Sequence, residues 1–275
     1  MKLKVQHTTT FSYDTPVYDT ATEIRLQPAT APLASQKCLD FVLVIEPATS
    51  IFHYLDTYGN HVHHFNLLPH HDRLQIVATS LVETGLPPSE DSPDEVDEIM
   101  LLDYLGESRN VIIDESLREF AAPFSKIGDP YQTAAEVCHQ INQTFSYERG
   151  YTNARSTSQE VMLMKQGVCQ DFAHVMIAVC RSLRLPARYV SGYVYGGIES
   201  EGQDVASHAW CEVYVDQQKG WQAFDPTHST LLVDERYIKI GTGRDYADVP
   251  PVRGTYKGRA QEHLEVVVRI NRLEN

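Results

Sequence analysis

The sequence predicts an α+β fold in which an all-β N-terminal module precedes a core of helices packed on an antiparallel sheet. Over residues 1–86, apolar and polar positions alternate between turn residues, which is the period of strands. From about residue 111 the apolar spacing lengthens to that of helices. Beyond Pro186 it shortens to that of strands again.

In the first module, residues 2–5 and 22–26 alternate, 41–45 form a short apolar run, and 75–82 are rich in Val, Ile and Thr. Tyr58-Gly59-Asn60 predicts a hairpin turn. Pro87, Pro88 and Ser89 then open an acidic linker and helical segment over residues 87–110. Its carboxylates Glu90, Asp91, Asp94, Glu95, Asp97 and Glu98 form a solvated run, and Ser92-Pro93 suits a helix cap and first turn. Residues 111–275 are the expected core, with a final strand near 264–270.

Within that core, Ala134, Val137, Cys138, Ile141 and Phe145 mark one face of a helix starting near Tyr131. Phe172, Val175, Met176, Val179 and Leu183 repeat the pattern after Cys169, and Ala173, Ile177 and Cys180 make the opposite side apolar as well. A helix apolar on most sides is a buried one. It stops at Leu185-Pro186, with Arg181 and Arg184 placed to complement its dipole. Strands are expected over residues 187–195, 207–215 and 221–224.

At 275 residues, with 23 Lys+Arg against 37 Asp+Glu, the chain has a formal charge of −14 and room for one or two self-supporting domains. No run of Lys and Arg offers a phosphate-binding surface, so nucleic acid is not an expected partner. No apolar run approaches the ~20 residues of a bilayer span, and the first ten residues carry no continuous apolar block of a secretory signal. A cytoplasmic protein is expected, and its oligomeric state stays open. Cys38, Cys138, Cys169, Cys180 and Cys211 are odd in number and irregularly spaced, which suits free thiols in a reducing compartment.

One cysteine has a distinctive setting. Gly167-Val168-Cys169-Gln170-Asp171-Phe172 puts Cys169 at the start of the buried helix, straight after a glycine turn. Unpaired N–H groups and the positive dipole end stabilise a thiolate at such a position, and the Cys169 N–H can serve an oxyanion. Ser207-His208-Ala209-Trp210-Cys211-Glu212 starts a strand with a histidine, and Trp221-Gln222-Ala223-Phe224-Asp225-Pro226-Thr227 ends the next one in Asp-Pro. These residues supply a nucleophile, a base and an orienter. For Asp225 to share a face with His208, it must lie directly opposite His208 or diagonally, opposite Trp210. Pairing Val215 with Trp221 would separate them.

These three ordered motifs resemble the Cys, His and Asp boxes of the transglutaminase-like superfamily, in the bacterial group with a β-rich N-terminal region. The stretch Leu185-Pro186-Ala187-Arg188-Tyr189-Val190-Ser191-Gly192-Tyr193 resembles the family's strand after the nucleophile helix, and the strands around residues 56–60 resemble its N-terminal region. The resemblance implies a papain-like core in which Cys169 is the nucleophile, His208 the general base and acid, and Asp225 the orienter. Cys211 stands where the family often has an aliphatic residue. No acidic loop resembles a calcium site, and no cofactor or metal is implied.

His174 lies about 140° around the helix from Cys169, which favours a buried structural role over catalysis. Trp210 shares the strand face of His208 and either covers the imidazole, lines an acyl pocket or simply packs. His53, His61, His63, His64, His70 and His71 crowd the first module, but no Cys or carboxylate pattern completes a metal site there. The expected function is attack on an amide carbonyl of a peptide or protein substrate through a thioester, ending in hydrolysis or transfer to an amine. The other class is a catalytically silent binding or scaffold protein that keeps the fold.

Overall fold

The computed structural model of the chain describes residues 1–30, 35–87, 98–228 and 233–273. The expected Ser92-Pro93 cap lies outside the described residues. Strand β1 runs unbroken over Lys2–Ile24, where sequence patterning suggested two short strands. The reason lies in its middle, where buried His7, Thr9 and Thr10 hide the alternation behind polar names. Up to Tyr13, β1 is flanked by β5 (His71–Thr84) and β13 (Glu262–Arg272). The register shifts between Ser12 and Val17, and Asp19 takes a φ of 52°. Its last residues then pair with β4 (His61–Leu67) and β12 (Val252–Lys257). Strands β2 (Gln36–Glu46) and β3 (Ile51–Leu55) complete the seven-stranded sheet on β5 and β4. The β3–β4 connection is the expected hairpin, with Gly59 at φ 77°.

The final strand, grouped with the core on sequence grounds, pairs along its length with β1. Sequence distance gives no signal for such a pairing, because strand period reports faces and not partners.

The second region surrounds helix α5 (Cys169–Ser182), whose residues from Asp171 to Arg181 are all buried. After the short α1 (Glu98–Asp103), helices α2 (Glu115–Ala121), α3 (Pro130–Thr144) and α4 (Ser158–Met164) cover α5 on one side. Asp129 caps α3 by accepting from the Gln132 N–H at 2.7 Å, and Pro130 occupies the first turn. The other side of α5 packs on an antiparallel sheet ordered β10 (Trp221–Phe224), β9 (His208–Tyr214), β8 (Ala187–Val194), β11 (Tyr237–Gly243). Arg181 does not reach solvent at the helix end. Its guanidinium donates to the carbonyls of Ala187, Gly106 and Arg244 at 2.7–3.0 Å. Arg184 lies beyond the helix at φ 64°.

The two regions share a core of Leu3, Val5, Val82, Tyr193, Ile238 and Ile270, among others. Side-chain amides then finish the edge of β11. Asn60 donates to Thr242 O and accepts from Thr242 N–H, both at 2.8 Å, and Gln36 brackets Lys239 in the same way at 2.7 and 2.9 Å. Each amide imitates a neighbouring strand residue, so an exposed edge is satisfied by the N-terminal module. Among the described residues, no helix is long and apolar enough to cross a membrane.

Candidate active site

Cys169 is the first residue of α5, and its environment is built by a parallel pair of short strands, β6 (Ser146–Tyr147) and β7 (Gln166–Gly167). The helix start is closed by Asp171, whose Oδ2 accepts from the Val168 N–H at 2.8 Å and from the Thr152 hydroxyl at 2.6 Å. Gly167 is required there, since a Cβ would sit 2.7 Å from the Asp171 side chain. Cys169 is part-exposed, whereas Cys138, Cys180 and Cys211 are buried. Burial pushes all three of those thiols up, Cys180 to about 12.

His208 opens β9, and Asp225 follows the last residue of β10. Phe224 pairs with Cys211, so continuing the register sets Asp225 opposite Trp210, diagonal to His208 on the same face. The fully buried Asp225 Oδ2 accepts from His208 Nε2 at 2.6 Å. That leaves Nδ1 to face Cys169, whose side chain acts on the imidazole electrostatically. Burial works against the charged imidazolium, but the hydrogen bond to Asp225 and the attraction of Asp225 and Cys169 prevail, raising His208 to about 10. For Asp225, burial is likewise outweighed by its hydrogen bonds and opposite charges, chiefly those of His208 and His228, and its carboxyl is held well below the usual range.

Two partners of Asp225 were not visible in the sequence motifs. Its Oδ2 also accepts from His228 Nδ1 at 2.6 Å and from the Tyr237 hydroxyl at 2.8 Å, while Oδ1 accepts from the Thr227 N–H at 2.9 Å. His228 stands just past Asp-Pro-Thr, where a polar side chain can turn back on the aspartate, and that proximity was the available signal. Tyr237 arrives from β11, too far along the chain to leave one. His208, Asp225 and His228 bring three ligand atoms within 4.8 Å of one another. Each of these atoms is already engaged in a hydrogen bond within the set.

Trp210 is 2% exposed and stacks behind His208 at a ring separation of 6.2 Å, so it backs the imidazole and does not line an open pocket. Its position depends on Gly192, where a Cβ would collide with Ile238 O and meet the indole at 2.6 Å. His174 is fully buried and accepts from the Tyr246 N–H at 3.1 Å through Nε2. Burial, only partly opposed by Asp245, lowers it to about 4, which makes it a neutral structural histidine. In the N-terminal module, the His53 ring lies 5.1 Å from His61 and 4.8 Å from His63. His64 bonds the Thr22 carbonyl, His70 packs on Tyr18 and His71 bonds Thr20. The six therefore do not form one centre.

The arrangement sets a thiol beside an imidazolium, presents backbone N–H groups at a helix start and can shuttle a proton. Comparison with known proteins agrees in fold. The family model of the transglutaminase-like superfamily matches residues 118–226, and that of the bacterial transglutaminase-like N-terminal region matches residues 3–83. An uncharacterised Mycobacterium leprae protein is 31% identical over 99% of both chains. An uncharacterised Mycobacterium tuberculosis protein is 33% identical over 92% of this chain and 87% of its own. A crystal structure from Cytophaga hutchinsonii, provisionally described as a cysteine protease, covers all of this chain and 92% of its own with a TM-score of 0.78 at 25% identity. The chain belongs to the transglutaminase-like superfamily, in the form that carries the bacterial N-terminal region.

Proposed function

We propose that the protein is a cysteine-dependent enzyme that opens amide bonds of peptide or protein substrates through a thioester. The single observation that carries this reading is the buried 2.6 Å His208–Asp225 contact beside a part-exposed cysteine at a helix N-terminus. A scaffold has no need to keep an ionised aspartate and a charged imidazole out of water, since such a pair tends to cost stability relative to apolar packing.

In the first half-reaction, the Cys169 thiolate attacks the carbonyl carbon and the oxygen takes up negative charge against the helix-start N–H groups. The C–N bond then breaks as His208 gives its Nδ1 proton to the leaving amine. In the second half, neutral His208 takes a proton from water or an incoming amine, the new C–O or C–N bond forms, and the thiolate leaves. Asp225 stays ionised throughout, fixing the ring and stabilising its charge. Hydrolysis and transfer share every residue and differ only in which nucleophile reaches the thioester.

The test is intact mass spectrometry of the protein mixed with candidate peptides, with and without a primary amine, beside iodoacetamide labelling. A substrate-derived adduct on Cys169 that is lost in Cys169→Ala supports the reading. An unreactive Cys169 at pH 6, with Cys38 or Cys211 labelling faster, overturns it.

A further inference from the structure

A cleft of about 740 Å³ lies between the N-terminal sheet and the loops that carry the candidate active site. Its volume suits a ligand of several hundred daltons. One wall includes Ala206 and Ser207, which lead directly into His208. Another includes Ala154 and Arg155, which follow the Thr152 bonded to Asp171 near Cys169. Neither Cys169 nor His208 lines the cleft itself, which these two segments join in sequence to the candidate site.

The charge of this lining runs against that of the molecule. The whole chain carries −14, yet the ionised residues lining the cleft are Arg109, Arg155 and Arg253 against Glu262 alone. His7 also lines it, but burial lowers that imidazole to about 4, so it adds no charge at neutral pH. The three arginines are exposed, and among the described residues none of them makes an ion pair. Three guanidinium groups without an ion-pair partner among the described residues focus positive potential on one concave surface where the rest of the protein repels anions. A planar guanidinium matches a carboxylate in two parallel hydrogen bonds.

We propose that this cleft receives carboxylate groups of the substrate, so that the protein acts on acidic peptides. The proposal rests on the reading of Cys169 as the nucleophile. The carboxylate can come from an Asp or Glu side chain or from a chain terminus. Glu262 sets a limit on the anion, since it repels a ligand that fills the cleft with charge and tolerates one that engages only the arginines.

The test is fluorescence anisotropy with labelled peptides on Cys169→Ala protein, where turnover cannot confuse binding. Peptides carrying Glu are compared with Gln twins, each with a free or an amidated C-terminus, which separates the two carboxylate sources. The acidic peptide is expected to bind at least about tenfold more tightly than its twin, with the preference shrinking as salt rises from about 0.05 to about 0.5 M. In Arg109→Gln/Arg253→Gln the preference should fall below about threefold. Arg118→Gln/Lys126→Gln makes a matching charge change at exposed positions outside the cleft and should keep the preference. Equal binding of the twins, no binding of either, or a preference that survives the double substitution overturns the proposal. Iodoacetamide labelling of the wild type is read in parallel. An inert Cys169 with intact acidic preference removes the enzyme reading and leaves the anion cleft, and the opposite result does the reverse.

Discussion

His7 in the N-terminal sheet and His208 in the four-stranded sheet are both largely buried strand histidines, and they end in opposite states. Burial lowers His7 to about 4, whereas His208 is raised to about 10. The partner makes the difference. His7 meets the hydroxyls of Tyr193 and Thr9 at 2.7 and 3.1 Å, groups that suit a neutral ring, whereas His208 meets a buried carboxylate at 2.6 Å. The N-terminal sheet thus uses histidine as polar filling, and the second sheet uses it to store a charge. Separated charge is concentrated where β9 begins and β10 ends, beside the one cysteine that opens a buried helix.

The largest expected effect tests whether that stored charge does chemistry. Under the proposed mechanism Cys169→Ala should abolish thioester formation, since it removes the sulfur, and His208→Ala should reduce it by at least about a thousandfold, since it removes the group that moves the proton. His7→Gln should change it little with a small activated substrate that does not occupy the cleft His7 lines. Single-turnover mass spectrometry with an activated substrate reads the comparison, and a His7 variant as dead as the His208 variant would break it.

Asp225→Asn should reduce the rate less than either, since an orienter sets position and tautomer. Its larger signature is in stability. Removing one member of a buried charge pair typically costs about 3–5 kcal/mol. His208 is raised from 6.5 to about 10, so its contribution is full below pH 6.5 and is lost as pH rises through about 10. Asp225 is depressed from 3.8, so its contribution is present above that value and falls away in acid. His7 is lowered, so the unfolded chain takes up a proton that the folded one refuses, and stability declines as pH falls from 6.5 towards about 4. Thermal unfolding across pH should therefore show Asp225→Asn losing the alkaline dependence above neutrality while keeping the acid-side decline that His7 shares with His174.

The site was legible in the sequence because its three motifs are short and contiguous, each announcing its own element. Strand parity also narrowed the register of Asp225 to direct or diagonal opposition to His208, and pairing of Phe224 with Cys211 gives the diagonal one. What escaped was nonlocal. Nothing near residues 2–24 says that one strand runs throughout or that residues 262–272 return to its side, and nothing near Tyr237 marks it as a donor to Asp225. Composition hid the rest, since the buried Thr9 and His7 read as solvent-facing positions until Tyr193 covers them.

Gly192→Ala tests the support behind the imidazole. With a Cβ directed at Ile238 O and the Trp210 ring, the sheet or the indole must shift, and overpacking of this kind costs about 1–3 kcal/mol. The expected outcome is a lower melting temperature together with a rate loss that follows displacement of His208. A Gly241→Ala control strains the Asn60 clamp at β11 instead, where a Cβ would sit 2.8 Å from the amide oxygen. It should lower stability with less effect on rate.

The smallest effect concerns His228, and it sharpens what the charge store consists of. Removing its ring leaves Asp225 Oδ2 with His208 and Tyr237, and leaves Oδ1 with the Thr227 N–H, so the carboxylate stays ionised and His208 stays paired. The His228 side chain is 47% exposed, and water can replace its donor. His228→Ala should therefore slow thioester formation only about two- to tenfold, in line with one partly screened hydrogen bond. His228→Gln, which retains a donor within reach, should recover most of that loss. The alkaline limb of the rate should not move down, because a carboxylate with one donor fewer holds the His208 proton at least as firmly. A His228→Ala protein as inactive as His208→Ala would instead make His228 the acting base and reduce the His208–Asp225 contact to scaffolding.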